Sequence, residues 1–167
     1  VFQGFSQNKL GLFQSNCESL LQNKGQWRSI NKNYNPNEEW SVSYYGYFYE
    51  KGINNQTLKL SIKGYIPSKS EWVTIWEGFY YFDNSTNKIY YYSTNNNGSF
   101  IKGTSEKFSS NEIELFYSIY DSNGIEKKQK EIQTLSNNEI NSKSYVFENK
   151  KWKLNDDKIW VKNEIPE

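Results

Sequence analysis

Along this chain the spacing of apolar positions changes once, near Gly25. Before it, Leu10, Phe13, Cys17, Leu20 and Leu21 recur at the three-and-four spacing of one helical face, and Lys24-Gly25 supplies a C-terminal stop. The pattern predicts a helix over residues 9–23 that covers one end of a barrel or lies on its wall. Cys17 falls on the apolar stripe of that helix and reads as a core thiol, because nothing adjacent would generate the thiolate.

After Gly25 the period is two. Trp40, Val42, Tyr44, Gly46 and Phe48 form one face of a strand, with Ser41, Ser43, Tyr45, Tyr47 and Tyr49 on the other. Leu58, Leu60, Ile62 and Ile66 alternate with Lys59, Ser61 and Lys63, the signature of a half-buried antiparallel strand. Further strands are predicted at 71–82, 88–94, 98–107, 112–121, 126–135, 139–149 and 158–163. Between them stand turn clusters such as Gly52-Ile53-Asn54-Asn55, Asp83 to Asn87, Asn95-Asn96-Asn97-Gly98 and Asp121-Ser122-Asn123-Gly124. Strands joined so locally, with no crossover helix, predict an all-β meander. About eight to ten of them avoid long exposed edges by closing into an up-and-down antiparallel β-barrel, with a two-sheet sandwich as the alternative.

Composition narrows the chemistry. The 167 residues suffice for one domain with its own core. Twenty basic and 19 acidic residues leave a net charge of +1, so no overall field favours nucleic acid or an anionic membrane. Arg28 is the lone arginine, which argues against bidentate phosphate or carboxylate capture. The chain has no His and a single Cys. It therefore lacks the commonest metal ligand and general base, and it can form neither an internal disulfide nor a Cys-Cys zinc site. No cofactor is expected. No stretch approaches the ~18 consecutive apolar residues of a membrane-spanning helix.

Val1-Phe2-Gln3-Gly4-Phe5-Ser6 precedes the polar Gln7-Asn8-Lys9, and Gly4 and Ser6 stand at the minus-three and minus-one spacing of a signal-peptidase site. Residues 1–6 thus read as the end of a secretory signal, giving a secreted or periplasmic protein whose mature domain starts near Gln7. The alternative reading is a tag scar, since Phe-Gln-Gly also occurs at engineered protease sites.

Gly25-Gln26-Trp27 after a short helix and before a long meander resembles the calycin superfamily, which includes the lipocalins. The second half is similar to secreted bacterial lipocalin-like domains, through Lys88 to Tyr92, Asn97-Gly98, Lys102-Gly103-Thr104, Asp121 to Gly124, and Lys151-Trp152 with Trp160-Val161-Lys162. The resemblance implies a barrel in which Gly25 and Trp27 close the base under a basic side chain from the last strand. Lys162 or Lys158 takes the place that an Arg holds in lipocalins.

Aromatic residues make up 18% of the chain, including 14 Tyr and 6 Trp. They suit the walls of a barrel cavity or an ordinary core. On the Trp40 face the candidate ligand-binding residues are Trp40, Tyr44 and Phe48, with Leu60 and Ile62 across the next hairpin and Tyr117 from a later strand. Periodicity does not say which face of 71–82 is inner. With the Val73-Ile75 face inside, Glu77 is a desolvated carboxylate opposite Tyr91, an acid/base pair or a polar anchor; otherwise it is a solvated Glu beside a Lys. Tyr45, Tyr47 and Tyr49 form either an outer stripe for sugar rings or a protein, or a covered face. The run Glu126 to Glu131 has the alternation of a solvated strand.

Three functional readings follow. The first is a lipocalin-like barrel that binds a small apolar or amphipathic ligand without covalent chemistry. The second is a module that binds a glycan or a protein through its outer Tyr stripe around a filled core. The third is a calycin-shaped enzyme using Glu77 and a Tyr. No oligomeric state is implied.

Overall fold

The computed structural model describes residues 8–162; the expectation of a signal remnant at residues 1–6 lies outside them. One helix, α1 (Lys9–Leu20), precedes ten strands: β1 (Gln26–Ile30), β2 (Tyr44–Lys51), β3 (Thr57–Ile66), β4 (Glu71–Asp83), β5 (Lys88–Asn95), β6 (Phe100–Phe108), β7 (Glu112–Tyr120), β8 (Glu126–Leu135), β9 (Glu139–Glu148) and β10 (Lys151–Val161). Every neighbouring pair is antiparallel, and the sheet closes in the order β1-β10-β9-β8-β7-β6-β5-β4-β3-β2. This is a ten-stranded up-and-down barrel with one short helix, an architecture consistent with a lipocalin-like fold. Consecutive hairpins are the physical reason for it, since each strand finds its partner a few residues away and closure removes both edges.

The helix forms because Asn8 caps it, its side-chain oxygen accepting the Gly11 N–H at 3.0 Å. It ends at Leu20, earlier than residue 23, where Asn23 and Lys24 turn with positive φ into Gly25. Phe13 and Leu20 are buried against the barrel mouth, and the Phe13 ring stacks on Phe82 at 5.8 Å. Gly25 has φ +73°, and a Cβ there would stand 2.1 Å from the Tyr49 carbonyl oxygen. Only glycine meets both demands. The Trp27 indole N–H donates to the Leu20 carbonyl at 2.8 Å, tying the helix end to β1. Lys162 Nζ lies 5.3 Å above the Trp27 ring and also donates to Gln22 Oε1 and the Asn137 carbonyl.

Strand phase departs from the expectation at residues 40–43, in β4 and in β10, and a further register shift lies in β6 between Thr104 and Lys107. Residues 40–43 precede β2 rather than belonging to it: the Ser41 N–H donates to the Glu38 carbonyl and the Asn35 N–H to Ser41 Oγ, which turns the chain. In β4 the register slips opposite Ile62 and Lys63, with Ile62 facing Trp76 and Lys63 facing Thr74, so that Ile75 is an inserted bulge residue. Trp72 and Thr74 therefore point outward while Trp76, Tyr80 and Phe82 point inward. A second bulge at Asn155 lies in β10, which begins at Lys151 rather than at 158. Residues 151–157 are exposed except for Asp156, with even Trp152 and Leu154 on the surface, and they form a strand through their pairing with β9.

Candidate functional site

The barrel interior is graded. Near α1 it is mainly apolar, filled by Trp27, Leu58, Phe82, Ile89, Ile113, Leu135 and Ile140, with Asn16 and Ser105 buried as well. In the half farther from the helix there is a cavity of about 270 Å3 lined by Tyr45, Tyr47, Ile62, Ile75, Trp76, Tyr91, Ile101, Tyr117, Ile119, Glu131, Ser142, Ser144, Asp156, Lys158 and Trp160. Tyr45, Ile119, Ser144 and Lys158 are only half-buried, so the cavity meets solvent at the end opposite the helix.

Each wall follows from strand alternation. Tyr45, Tyr47 and Tyr49 are the inner face of β2; the Tyr47 ring stacks on Trp160 at 3.6 Å and meets Tyr49 edge-on at 5.7 Å. Tyr91 stacks on Tyr80 at 4.7 Å and meets Tyr117 edge-on at 6.4 Å. Between these two rings runs Gly103, paired with both Tyr91 and Tyr117; a Cβ there would approach the Tyr117 Cβ to 2.5 Å. The glycine makes room for the aromatic pair. On the opposite wall β8 turns Gln129, Glu131, Gln133 and Leu135 inward. Glu131 Oε1 accepts from Ser142 Oγ at 2.6 Å and from Gln133 Nε2 at 2.9 Å. The Tyr117 hydroxyl donates to Gln129 Oε1 at 3.0 Å.

The electrostatics are those of a tyrosine cluster around one carboxylate. Burial pushes the phenols of Tyr47, Tyr49 and Tyr117 well above the ordinary tyrosine range, and the Glu131 charge adds to it. Tyr80 and Tyr91 are raised as well, again chiefly by burial. These phenols remain neutral and act as hydrogen-bond donors and π faces rather than as bases. Lys158 pairs with Asp156 at the cavity mouth and lies 5.8 Å from the Tyr45 ring. Burial pulls its ammonium below the usual lysine range, opposed by Glu131 and assisted by Lys32. The Tyr49 hydroxyl and the Trp160 indole N–H are buried and have no hydrogen-bond partner among the described residues.

Of the residues expected to bind a ligand, Ile62, Tyr91 and Tyr117 line this cavity and Leu60 is buried in the core beneath it. Trp40, Tyr44 and Phe48 do not: the two faces of β2 are reversed from that expectation. Trp40 is 62% exposed in the loop before β2, under Lys69 Nζ at 3.9 Å. Tyr44 lies on the outer wall 5.0 Å from the Arg28 guanidinium, and Phe48 packs edge-on against Trp72 there at 5.4 Å. The supposed outer stripe of Tyr45, Tyr47 and Tyr49 is the inner one. Both faces of this strand are aromatic, and the tyrosine face is the one that lies inside.

Glu77 is exposed on the outer wall, beyond the β4 bulge, in the register position between Ser61 and Thr94. Tyr91 points inward, so the two cannot form an acid/base pair. Among the described residues no three Cys, Asp or Glu side chains gather to hold a metal ion.

The residue that sequence reasoning missed is Glu131. It was read with a solvated charge run, yet it stands two and four residues before Gln133 and Leu135, in phase with the one buried apolar residue of β8. That phase was the available signal. The outer wall carries its own aromatic patch, in which Trp152 meets Phe147 at 5.1 Å and Phe116 at 6.0 Å, with Lys130 Nζ 5.7 Å from its ring. The chain matches no model of a known protein family, and no curated protein matches it.

Proposed function

We propose that this is a lipocalin-like binding protein that takes one small amphipathic molecule into the half of the barrel farther from α1, without covalent chemistry. The observation that carries this reading is the 270 Å3 cavity with aromatic and aliphatic walls and one hydrogen-bonded polar wall at Glu131, Gln133 and Ser142. A barrel of this size leaves room for one small ligand, and such pockets are largely apolar with a few placed polar groups. The unpartnered Trp160 N–H on the lining supports it, because a buried donor is stabilised by whatever supplies an acceptor. Catalysis has no support in the geometry: Glu77 and Tyr91 lie on opposite faces of the sheet, and the interior tyrosines are held neutral.

Titration with the neutral probe N-phenyl-1-naphthylamine tests the reading. Saturable one-to-one quenching of tryptophan emission, abolished in the cavity-filling Ser144→Trp variant at unchanged fold, is the expected result. Binding that survives Ser144→Trp would contradict it. Export rests on the Gly4 and Ser6 spacing alone and is tested by the N-terminal mass of protein recovered from the periplasm or medium, expected to begin near Gln7.

A further inference from the structure

Three charged groups line the cavity: Glu131, Asp156 and Lys158. Asp156 and Lys158 are paired with each other, which leaves the carboxylate of Glu131. Its two hydrogen bonds, from Ser142 and Gln133, come from neutral donors and both fall on Oε1. Among the described residues no Lys or Arg nitrogen forms a salt bridge with Glu131, and no donor bonds to Oε2. The Lys158 ammonium, held by Asp156, acts on Glu131 only across the cavity and without a salt bridge; a carboxylate drawn partly into a protein interior is ordinarily paired directly. The surrounding walls repeat the message. Tyr47, Tyr91, Tyr117, Trp76 and Trp160 supply neutral ring faces, whose quadrupoles attract cations.

The geometry points to an organic cation as the occupant: a small ammonium compound, primary to quaternary, with an aromatic or short aliphatic body. Its charged head would lie against Glu131 and its body against the tyrosine and tryptophan rings. This rests on the cavity-binding reading above and narrows it to one ligand class. A carboxylate-bearing ligand such as a fatty acid is disfavoured by the same argument, since its head would meet Glu131 as a like charge.

Three probes of nearly equal size separate the possibilities in calorimetric titrations at neutral pH: 2-phenylethylammonium, 2-phenylethanol and 3-phenylpropionate. The expected order is ammonium, then alcohol, then carboxylate, with the ammonium about tenfold or more tighter than the alcohol, the scale of a hydrogen bond to a charged partner. Glu131→Gln keeps the side-chain size and its ability to accept from Ser142. It is expected to cut the ammonium's advantage over the alcohol at least about fivefold while alcohol affinity holds. An ammonium that binds no better than the alcohol in the wild type overturns the inference, as does a preference undiminished in Glu131→Gln. If none of the three binds, the inference also fails, and N-phenyl-1-naphthylamine then decides the wider reading: bound, the cavity is a site for a different ligand class; unbound, the cavity reading falls too.

Discussion

The ring of Tyr47 lies face to face on the indole of Trp160, centroids 3.6 Å apart and planes 15° from parallel. Across the short strand β1, this contact joins the inner face of β2 to that of β10, at the seam where the barrel closes, and it forms one wall of the cavity. Replacing Tyr47 by Ala is therefore expected to cost about 3–5 kcal/mol, the range for deleting a packed core aromatic. Tyr44→Ala, one strand phase away on the outer wall, is expected to cost less than about 1 kcal/mol. Urea denaturation midpoints of the two variants check the contrast, and equal losses would mean that the faces of β2 are wrongly assigned.

Closure of the base depends on Gly25 and Trp27. Trp27→Ala removes a fully buried indole and its bond to the Leu20 carbonyl, with an expected loss of about 3–5 kcal/mol. Gly25→Ala places a methyl group against the Tyr49 carbonyl at a positive φ, and a loss of more than about 1 kcal/mol is expected. A Gly25→Ala protein as stable as the wild type in chemical denaturation would contradict this packing.

Alkaline pH should unfold the protein cooperatively. In the fold, Tyr47, Tyr49, Tyr80, Tyr91 and Tyr117 keep their protons beyond the ordinary tyrosine range, chiefly because they are buried. The unfolded chain releases those protons near pH ~10, so it gains relative to the fold as pH rises. The stability concerned is whole below that pH and falls above it, by up to about 1.4 kcal/mol per pH unit for each protected tyrosine. Phenolate absorbance is expected to show five of the 14 tyrosines silent until the tertiary signal is lost. A smooth titration of all 14 in the folded protein would contradict the interior described.

Cys17 is expected to be inert in the fold. Burial, then the neighbouring Glu18, pushes its thiol up to about 12. At a pH of about 8, reaction with a disulfide reagent should be at least about a hundredfold slower in the native protein than in denaturant. Comparable rates would place Cys17 outside the packed face of α1.

The barrel was legible where polarity separates the two faces of a strand, as in β3, where Leu58, Leu60 and Ile62 oppose Lys59, Ser61 and Lys63. The turns at Asn95 to Gly98 and Asp121 to Gly124 were legible for a different reason: Gly98 and Gly124 take up positive φ, and the Asn95 and Asp121 side chains accept local backbone N–H groups. The site was not, for three local reasons. Both faces of β2 are aromatic, so alternation alone did not assign an inside. The bulge at Ile75 moves Trp76 to the opposite face from Trp72, which no unbroken period of two can express. Glu131 is a charge on an inner face, and binary patterning sends charges outward.

The central claim is that ligand enters the barrel rather than docking on its wall, and the six tryptophans report on it separately. Trp76 and Trp160 line the cavity, whereas Trp40 and Trp152 are exposed and Trp72 packs on the outer face against Phe48 and Tyr65. In nitrogen-proton correlation spectra recorded during titration with N-phenyl-1-naphthylamine, the indole resonances of Trp76 and Trp160 are expected to shift saturably, reaching a plateau at one equivalent. Those of Trp40, Trp72 and Trp152 should hold still. Shifts confined to Trp152 or Trp72, with Trp76 and Trp160 unmoved, would contradict the account.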